Sequence, residues 1–151
     1  MLVDGLGDRS GLDAHGGPDH VDRVHVPHFL EREHDLAVLR DGLDHWLASP
    51  SGRHVLAWEQ GQVDHIVSDI FGYHALQIGL PQADFLRASR IPLRQRAGTL
   101  DGADFLCHYA ALPVAANSID LVVMPHVFEF SDEPHQILRE VERILIPEGQ
   151  I

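Results

Sequence analysis

Ser118-Ile119-Asp120-Leu121-Val122-Val123-Met124-Pro125 contains an unbroken Leu-Val-Val-Met run. A strand with one wet face alternates apolar and polar residues. A run that is apolar at every position has both faces covered, as in the central strand of a parallel sheet buried by helices. The residues that follow fit this reading. After a loop over Val127–Glu133, Pro134 suits the first position of a helix, because its missing N–H has no partner there in any case. Ile137, Leu138, Val141, Ile144 and Leu145 give that helix one apolar face, and Arg139, Glu140, Glu142 and Arg143 are expected mostly outward. Pro147 and Gly149 are expected to stop it, with Ile151 opening a further strand.

Upstream, Ala75–Pro81 reads as a short strand ending in a Gly-Leu-Pro break, a second weak strand falls within Ala88–Arg96, and Phe105-Leu106-Cys107 suggests a third. Before these, Ser51 is expected to cap a long amphipathic helix reaching Phe71. Its apolar positions are Val55, Leu56, Val63, Ile66, Val67, Ile70 and Phe71; Trp58 is expected in the core and Gly72 as the C-terminal cap. Leu43, Trp46 and Leu47 form a short amphipathic turn that Pro50 ends. The fold class predicted is α/β: a Rossmann-like, open, mostly parallel sheet, incomplete, preceded by a long amphipathic helix. Such sheets place ligands at the carboxyl ends of their strands, so the positions just after Ile78, Cys107 and Met124 are the ones to inspect.

Composition narrows the function classes. The 151 residues carry a net charge of −12, from 23 acidic against 11 basic side chains. That excess repels nucleic-acid phosphates and anionic lipid, so no nucleic acid or membrane partner is expected from charge. No apolar run is long enough for a membrane helix, and no signal-peptide order opens the chain; a cytoplasmic protein is expected. One cysteine, Cys107, excludes an internal disulfide. Lying in a predicted strand, it reads as a small buried hydrophobe rather than a nucleophile. All the basic residues are arginine, as in proteins from GC-rich genomes. Phosphate-loop and nucleophile-elbow motifs are absent, and with no lysine the phosphate loop lacks its usual contact.

Residues 1–42 differ from the rest. They interleave aspartates with His15, His20, His25, His28 and His34, and glycines break any period. His25-Val-Pro-His28 with His34 offers imidazoles at metal-ligand range. The same composition fits a disordered, dispensable tail or a mis-called start, with only a weak helix over Phe29–Leu39; no metal site is assigned. Order is expected from Leu43.

Ala111-Leu112-Pro113, then Asn117–Val123, then Asp132-Glu133-Pro134 and Leu138–Gly149 together resemble the type-11 class I S-adenosylmethionine-dependent methyltransferases. In that family a Leu-Pro-Phe step and an Asn-Ser-Phe-Asp-Leu-Val strand lead to a helix and turn reading Leu-Arg-Glu-Ile…Arg-Val-Leu-Lys-Pro-Gly-Gly. Trp58-Glu59, Asp69–Gly79 and Pro125–Phe130 resemble a narrower proteobacterial branch. The resemblance covers residues 43–151, read as a partial, C-terminally truncated methyltransferase domain. It implies S-adenosyl-L-methionine as cofactor and an unidentified methyl acceptor. The positions it points to for cofactor binding are Gln77, Gly79, His108, Ala111, Leu112, Pro125 and His126; it implies no catalytic residue. Glu129 follows the same strand as His126 and is open to cofactor, substrate or loop contacts.

The sequence departs from the family pattern after the first strand. Of the family's glycine-rich loop, Gln77-Ile78-Gly79-Leu80-Pro81-Gln82-Ala83 keeps only the first glycine, with Gln77 at the acidic position. No carboxylate between Leu80 and Asp104 stands out for the ribose, and the interval from Gly79 to Cys107 is short for a full helix plus two strands. The alternative reading is a non-catalytic interaction module or a degenerate remnant of the fold. A truncated sheet would leave exposed surfaces, so self-association and little activity of this chain alone are expected.

Overall fold

The computed structural model describes residues 28–99 and 101–151, with side chains from Asp35 onward. Two helices open it, α1 (His28–Leu47) and α2 (Pro50–Val67). They are followed by β1 (His74–Ile78), β2 (Leu93–Gly98), β3 (Phe105–Leu106), β4 (Ile119–Val123), α3 (Pro134–Ile144) and β5 (Leu145–Gln150). A single 3-10 turn, Phe128–Phe130, lies between β4 and α3. The five strands form one parallel sheet in the order β3-β2-β1-β4-β5.

β1 is central, pairing along its length with β2 and, from Ala75 to Gln77, with β4. On one face Leu76, Ile78 and Val122 pack against Ile137, Val141 and Ile144, the buried stripe of α3. On the other, Ala75 and Leu121 meet Val67 at the end of α2 and Ile70 just past it, together with Leu86 and Ile91. The doubly apolar run of β4 is thus covered on both sides, as its sequence requires.

The connections are leaner than expected. Residues 79–92 cross from β1 to β2 without a helix, and Phe85, Leu86 and Ile91, at 1–2% exposure, fill the space a helix face would occupy. Six residues then suffice to reach β3. The interval from Gly79 to Cys107 therefore holds two strands because both crossovers dispense with helices. β2 begins and ends later than the sequence suggested, with Pro92 just outside it, where its missing N–H breaks no ladder. At the far edge α3 stops at Ile144, and Pro147 and Gly149, expected as a terminating turn, lie inside β5, whose register against β4 is bulged.

The helical entry also differs from the expectation. α1 runs from His28 through Leu47, so residues 28–42 are helical and the boundary proposed at Leu43 falls inside an element; residues 1–27, including His25, lie outside the described ones. Ser49, not Ser51, caps α2: its hydroxyl accepts the Gly52 N–H at 3.1 Å, and Pro50 takes the first helical position. α2 ends at Val67. Trp58, Ile66 and Phe71 are exposed rather than buried, Phe71 lying beneath the Arg90 guanidinium at 5.8 Å.

Two glycines owe their identity to close approaches. A Cβ on Gly52 would lie 2.6 Å from Leu47 Cα and overlap the Trp46 carbonyl, so the α1–α2 corner closes only without a side chain there. Gly72 is not a helix cap. A Cβ there would strike the Asp120 carboxylate, whose Oδ2 accepts the Tyr73 and His74 N–H groups at 2.9 Å and fixes the start of β1. Gly61, in the middle of α2, faces open space.

These environments separate the glycines of α2. Gly52→Ala is expected to cost about 1–3 kcal/mol through overpacking, whereas Gly61→Ala gains up to about 1 kcal/mol from helix propensity. Urea unfolding followed by circular dichroism checks both, and equal effects would show that the corner is not tight.

Candidate functional site

Past the carboxyl ends of β1, β2 and β4 lies a cavity of about 350 Å³. It sits where the strand order reverses, between β1 with β2 on one side and β4 on the other, the position at which open α/β sheets take ligands. Its floor is the turn after β1, where Gly79 has φ +86° and Leu80 φ +40°. A side chain at Gly79 would meet Val127 Cγ2 at 2.8 Å and the Pro125 carbonyl at 3.0 Å, so glycine brings the turn flush against the end of β4.

Gln77 holds this turn from beneath. Its side chain is wholly buried; Nε2 donates to the carbonyls of Gly79, Leu80 and Ala83 at 2.8–3.0 Å, and Oε1 accepts the Phe85 N–H at 2.9 Å. The amide is spent on the protein. Gln77, expected to contact a cofactor, positions the floor instead. A carboxylate in its place would set oxygens against three carbonyl oxygens with no proton to share.

Three walls complete the cavity. From α1 come Arg40, Leu43 and Asp44: Arg40 donates to Thr99 Oγ1 at 2.9 Å, and Asp44 accepts from Gln82 at 2.7 Å. The β2–β3 side contributes Thr99, Asp101 and Tyr109. Burial pushes the Tyr109 phenol above its ordinary range, against smaller opposing effects of the Arg40 charge and a hydrogen bond with Thr99. From beyond β4 come Pro125, His126, Val127 and Phe130. His126 has φ +54°; its Nδ1 lies 3.1 Å from Glu129 Oε1 and its Nε2 3.2 Å from Glu59 Oε2 on α2.

Of the residues the sequence singled out, Gly79, Pro125 and His126 come together in the cavity, while Gln77, His108, Ala111 and Leu112 do not line it. His108 is exposed, with its Nδ1 accepting the Ala110 N–H at 3.3 Å; its neighbour Tyr109 points inward instead. Ala111 is also exposed. Leu112 belongs to the core, its N–H bonded to Glu140 Oε2 at 2.9 Å. Glu140 and Arg143 do not simply face outward: Arg143 donates to the carbonyls of Val114 and Leu112 and to Glu140, tying the Leu112–Val114 loop to α3. Burial raises the Cys107 thiol above its usual range, in keeping with its packing against the core. Among the described residues no group of three His, Cys, Asp or Glu side chains is arranged to hold a metal ion.

The cavity also contains residues that sequence reasoning missed. Asp101 is the first carboxylate past β2; placing the strand within Ala88–Arg96, rather than ending at Gly98, hid it. Arg40 and Asp44 fall in or beside the segment expected to be unstructured. Glu59, on α2 and outside the cavity lining, meets His126 from behind; it is far from it in sequence, and no local signal joins the two.

Comparison with known proteins gives a partial match. Residues 82–151 match the Methyltransf_11 family model, a methyltransferase domain. That part of the chain, from the β1–β2 loop through β5, is similar to a methyltransferase domain. A chain from the Haloferax volcanii complex between the Trm112 methyltransferase activator and a proposed methyltransferase has the same fold. It superposes with a TM-score of 0.52 at 23% identity, covering 73% of this chain and 57% of that one. The uncharacterized Escherichia coli K12 protein YafS is 25% identical over 118 residues, or 70% of this chain and 45% of YafS. The chain thus spans about half the length of these relatives.

Two measurements test the supports of the cavity. Gln77→Glu, which brings in the acid of the family pattern, is expected to destabilise by about 3 kcal/mol or more, since several buried polar groups lose their partners; an unchanged urea midpoint would refute this. Arg143, with the Leu112 N–H, holds the Glu140 carboxyl below the usual carboxylate range. A folded pKa below the unfolded one gives stability that is present above the unfolded value of about 4.3 and lost as pH falls through the folded one. Glu140→Gln should therefore flatten the acid limb of a pH–stability curve; an acid limb identical to that of the parent chain would count against this pair.

Proposed function

We propose that the cavity binds S-adenosyl-L-methionine and that the domain transfers its methyl group to an acceptor that is still unidentified. The observation that carries this is the cavity's place at the strand-order reversal, floored by Gly79, whose left-handed conformation and missing Cβ set the turn flush against the end of β4. Its volume of about 350 Å³ lies in the lower part of the roughly 300–1,000 Å³ typical of small-ligand sites.

The residues present suit such a ligand. In this reading Asp101, past β2, accepts from the ribose hydroxyls, and Tyr109, past β3, presents its ring to the adenine. Gly79 and the Leu80–Gln82 backbone receive the amino-acid part. Pro125 and His126, past β4, border the methyl. When bound, the ligand supplies an electrophilic sulfonium methyl. The protein's contribution is to hold that carbon in line with an incoming nucleophile and to exclude water, a positioning effect that needs no catalytic triad. Whole-chain charge of −12 disfavours a nucleic-acid acceptor. Among the described residues no helix is long and apolar enough to cross a membrane, and a cytoplasmic location belongs to the same proposal. So does a protein partner, by analogy with the Haloferax chain and its activator.

Titration calorimetry with S-adenosyl-L-homocysteine, the demethylated product, tests the reading without knowledge of the acceptor. Saturable heat is expected, and Asp101→Ala should weaken binding about 10- to 100-fold, the worth of lost charge-assisted hydrogen bonds. Absence of binding up to high micromolar concentration would leave the non-catalytic module as the better account.

A further inference from the structure

Donor binding does not by itself explain the cluster at the β4 wall. His126 occupies a left-handed backbone conformation, with φ +54°. Non-glycine residues adopt this region at a cost, and such strain persists where surrounding contacts over-determine it. Here the contacts are two carboxylates, one on each ring nitrogen: Glu59 from α2 at 3.2 Å and Glu129 from the turn after β4 at 3.1 Å. The two differ in freedom. The Glu59 side chain is 26% exposed, like the imidazole, whereas that of Glu129 is 57% exposed and can turn away into solvent.

We propose that His126 is the general base of methyl transfer, accepting at Nδ1 the proton of an N–H or O–H acceptor, with Glu59 as its positioning residue. This rests on the reading of the cavity as the S-adenosyl-L-methionine site. Elimination among the ionisable groups of the cavity supports it. Arg40 is a cation, the Tyr109 phenol keeps its proton, Asp44 is engaged with Gln82, and Asp101 lies past β2 on the opposite side. Only His126 adjoins the end of β4, one residue beyond the Pro125 carbonyl that faces Gly79.

The acceptor enters at Nδ1, displacing the Glu129 carboxylate. Its lone pair forms the new bond to the methyl carbon, the carbon–sulfur bonding pair returns to sulfur, and the acceptor's proton passes to Nδ1. The imidazolium so formed keeps its Nε2–H on Glu59, and Glu129, exposed enough to turn, returns to receive the Nδ1–H once the methylated product leaves.

Sinefungin tests this, because an amine on carbon replaces its sulfonium methyl and places N–H groups where the acceptor would lie. Titrations of the whole chain with sinefungin and with S-adenosyl-L-homocysteine are compared. The expected result is a preference for sinefungin of about tenfold. Glu59→Gln should reduce that preference severalfold while changing homocysteine-analogue affinity by no more than about twofold. Nitrogen NMR of the ring in the sinefungin complex should show Nδ1 bare and Nε2 protonated towards Glu59, an arrangement lost in Glu59→Gln. Equal affinities for the two analogues, or a proton on Nδ1 with Nε2 bare, would overturn the base assignment and leave the donor site standing. Failure of both analogues to bind would overturn the donor site and the base together.

Discussion

The cavity depends on one buried carboxamide. Gln77 gathers the carbonyls of Gly79, Leu80 and Ala83 and the N–H of Phe85 around a single side chain. This converts a loop with two left-handed residues into a fixed floor. Each of those backbone groups is cut off from water, and leaving one unpaired would cost about 1–3 kcal/mol. The glycine-rich loop of the resembling family achieves close approach through bare backbone. In this chain a bulkier loop, with Leu80, Pro81 and Gln82, is held from below by an amide that both donates and accepts, a duty a carboxylate cannot perform.

That local solution goes with economical connections. Without a helix between β1 and β2, the sheet still needs cover on that face, and the loop provides it by burying Phe85, Leu86 and Ile91. The same loop therefore serves as core on one side and cavity floor on the other. α3 has a similar double role. Its stripe of Ile137, Val141 and Ile144 covers the opposite face, while Glu140 and Arg143 hold the loop that leads into β4.

Much of the fold was legible because burial on both faces imprints itself on composition. The Leu121–Met124 run announced a central parallel strand, Pro134 announced the start of α3, and Gly79 marked the floor. What escaped had physical reasons. Trp58, Ile66 and Phe71 have the spacing of a buried stripe, yet α2 meets the sheet only near its end, so spacing overstated the buried face. Pro147 and Gly149 normally break structure, but an edge strand with a bulge tolerates both. For the site, adjacency in sequence misled. His108 and Tyr109 are neighbours and only the second reaches the cavity, and Glu59 meets His126 only through tertiary packing. Arg40 was invisible because nothing in an Asp- and His-rich segment signals a wall.

That wall has a kinetic consequence. α1 is joined to the cavity rim largely by Arg40 on Thr99 and Asp44 on Gln82, with Leu43 and Leu47 beneath and Val38, Leu39 and Trp46 exposed. Over its described side chains α1 buries little surface, and such an element opens locally at small free-energy cost compared with the sheet behind it. Any molecule enclosed by it shares that helix as a boundary, so its residence time is tied to how often α1 lifts rather than to the contacts on the sheet side alone. By the same linkage, a tightly held molecule lends its binding energy to the folding of α1.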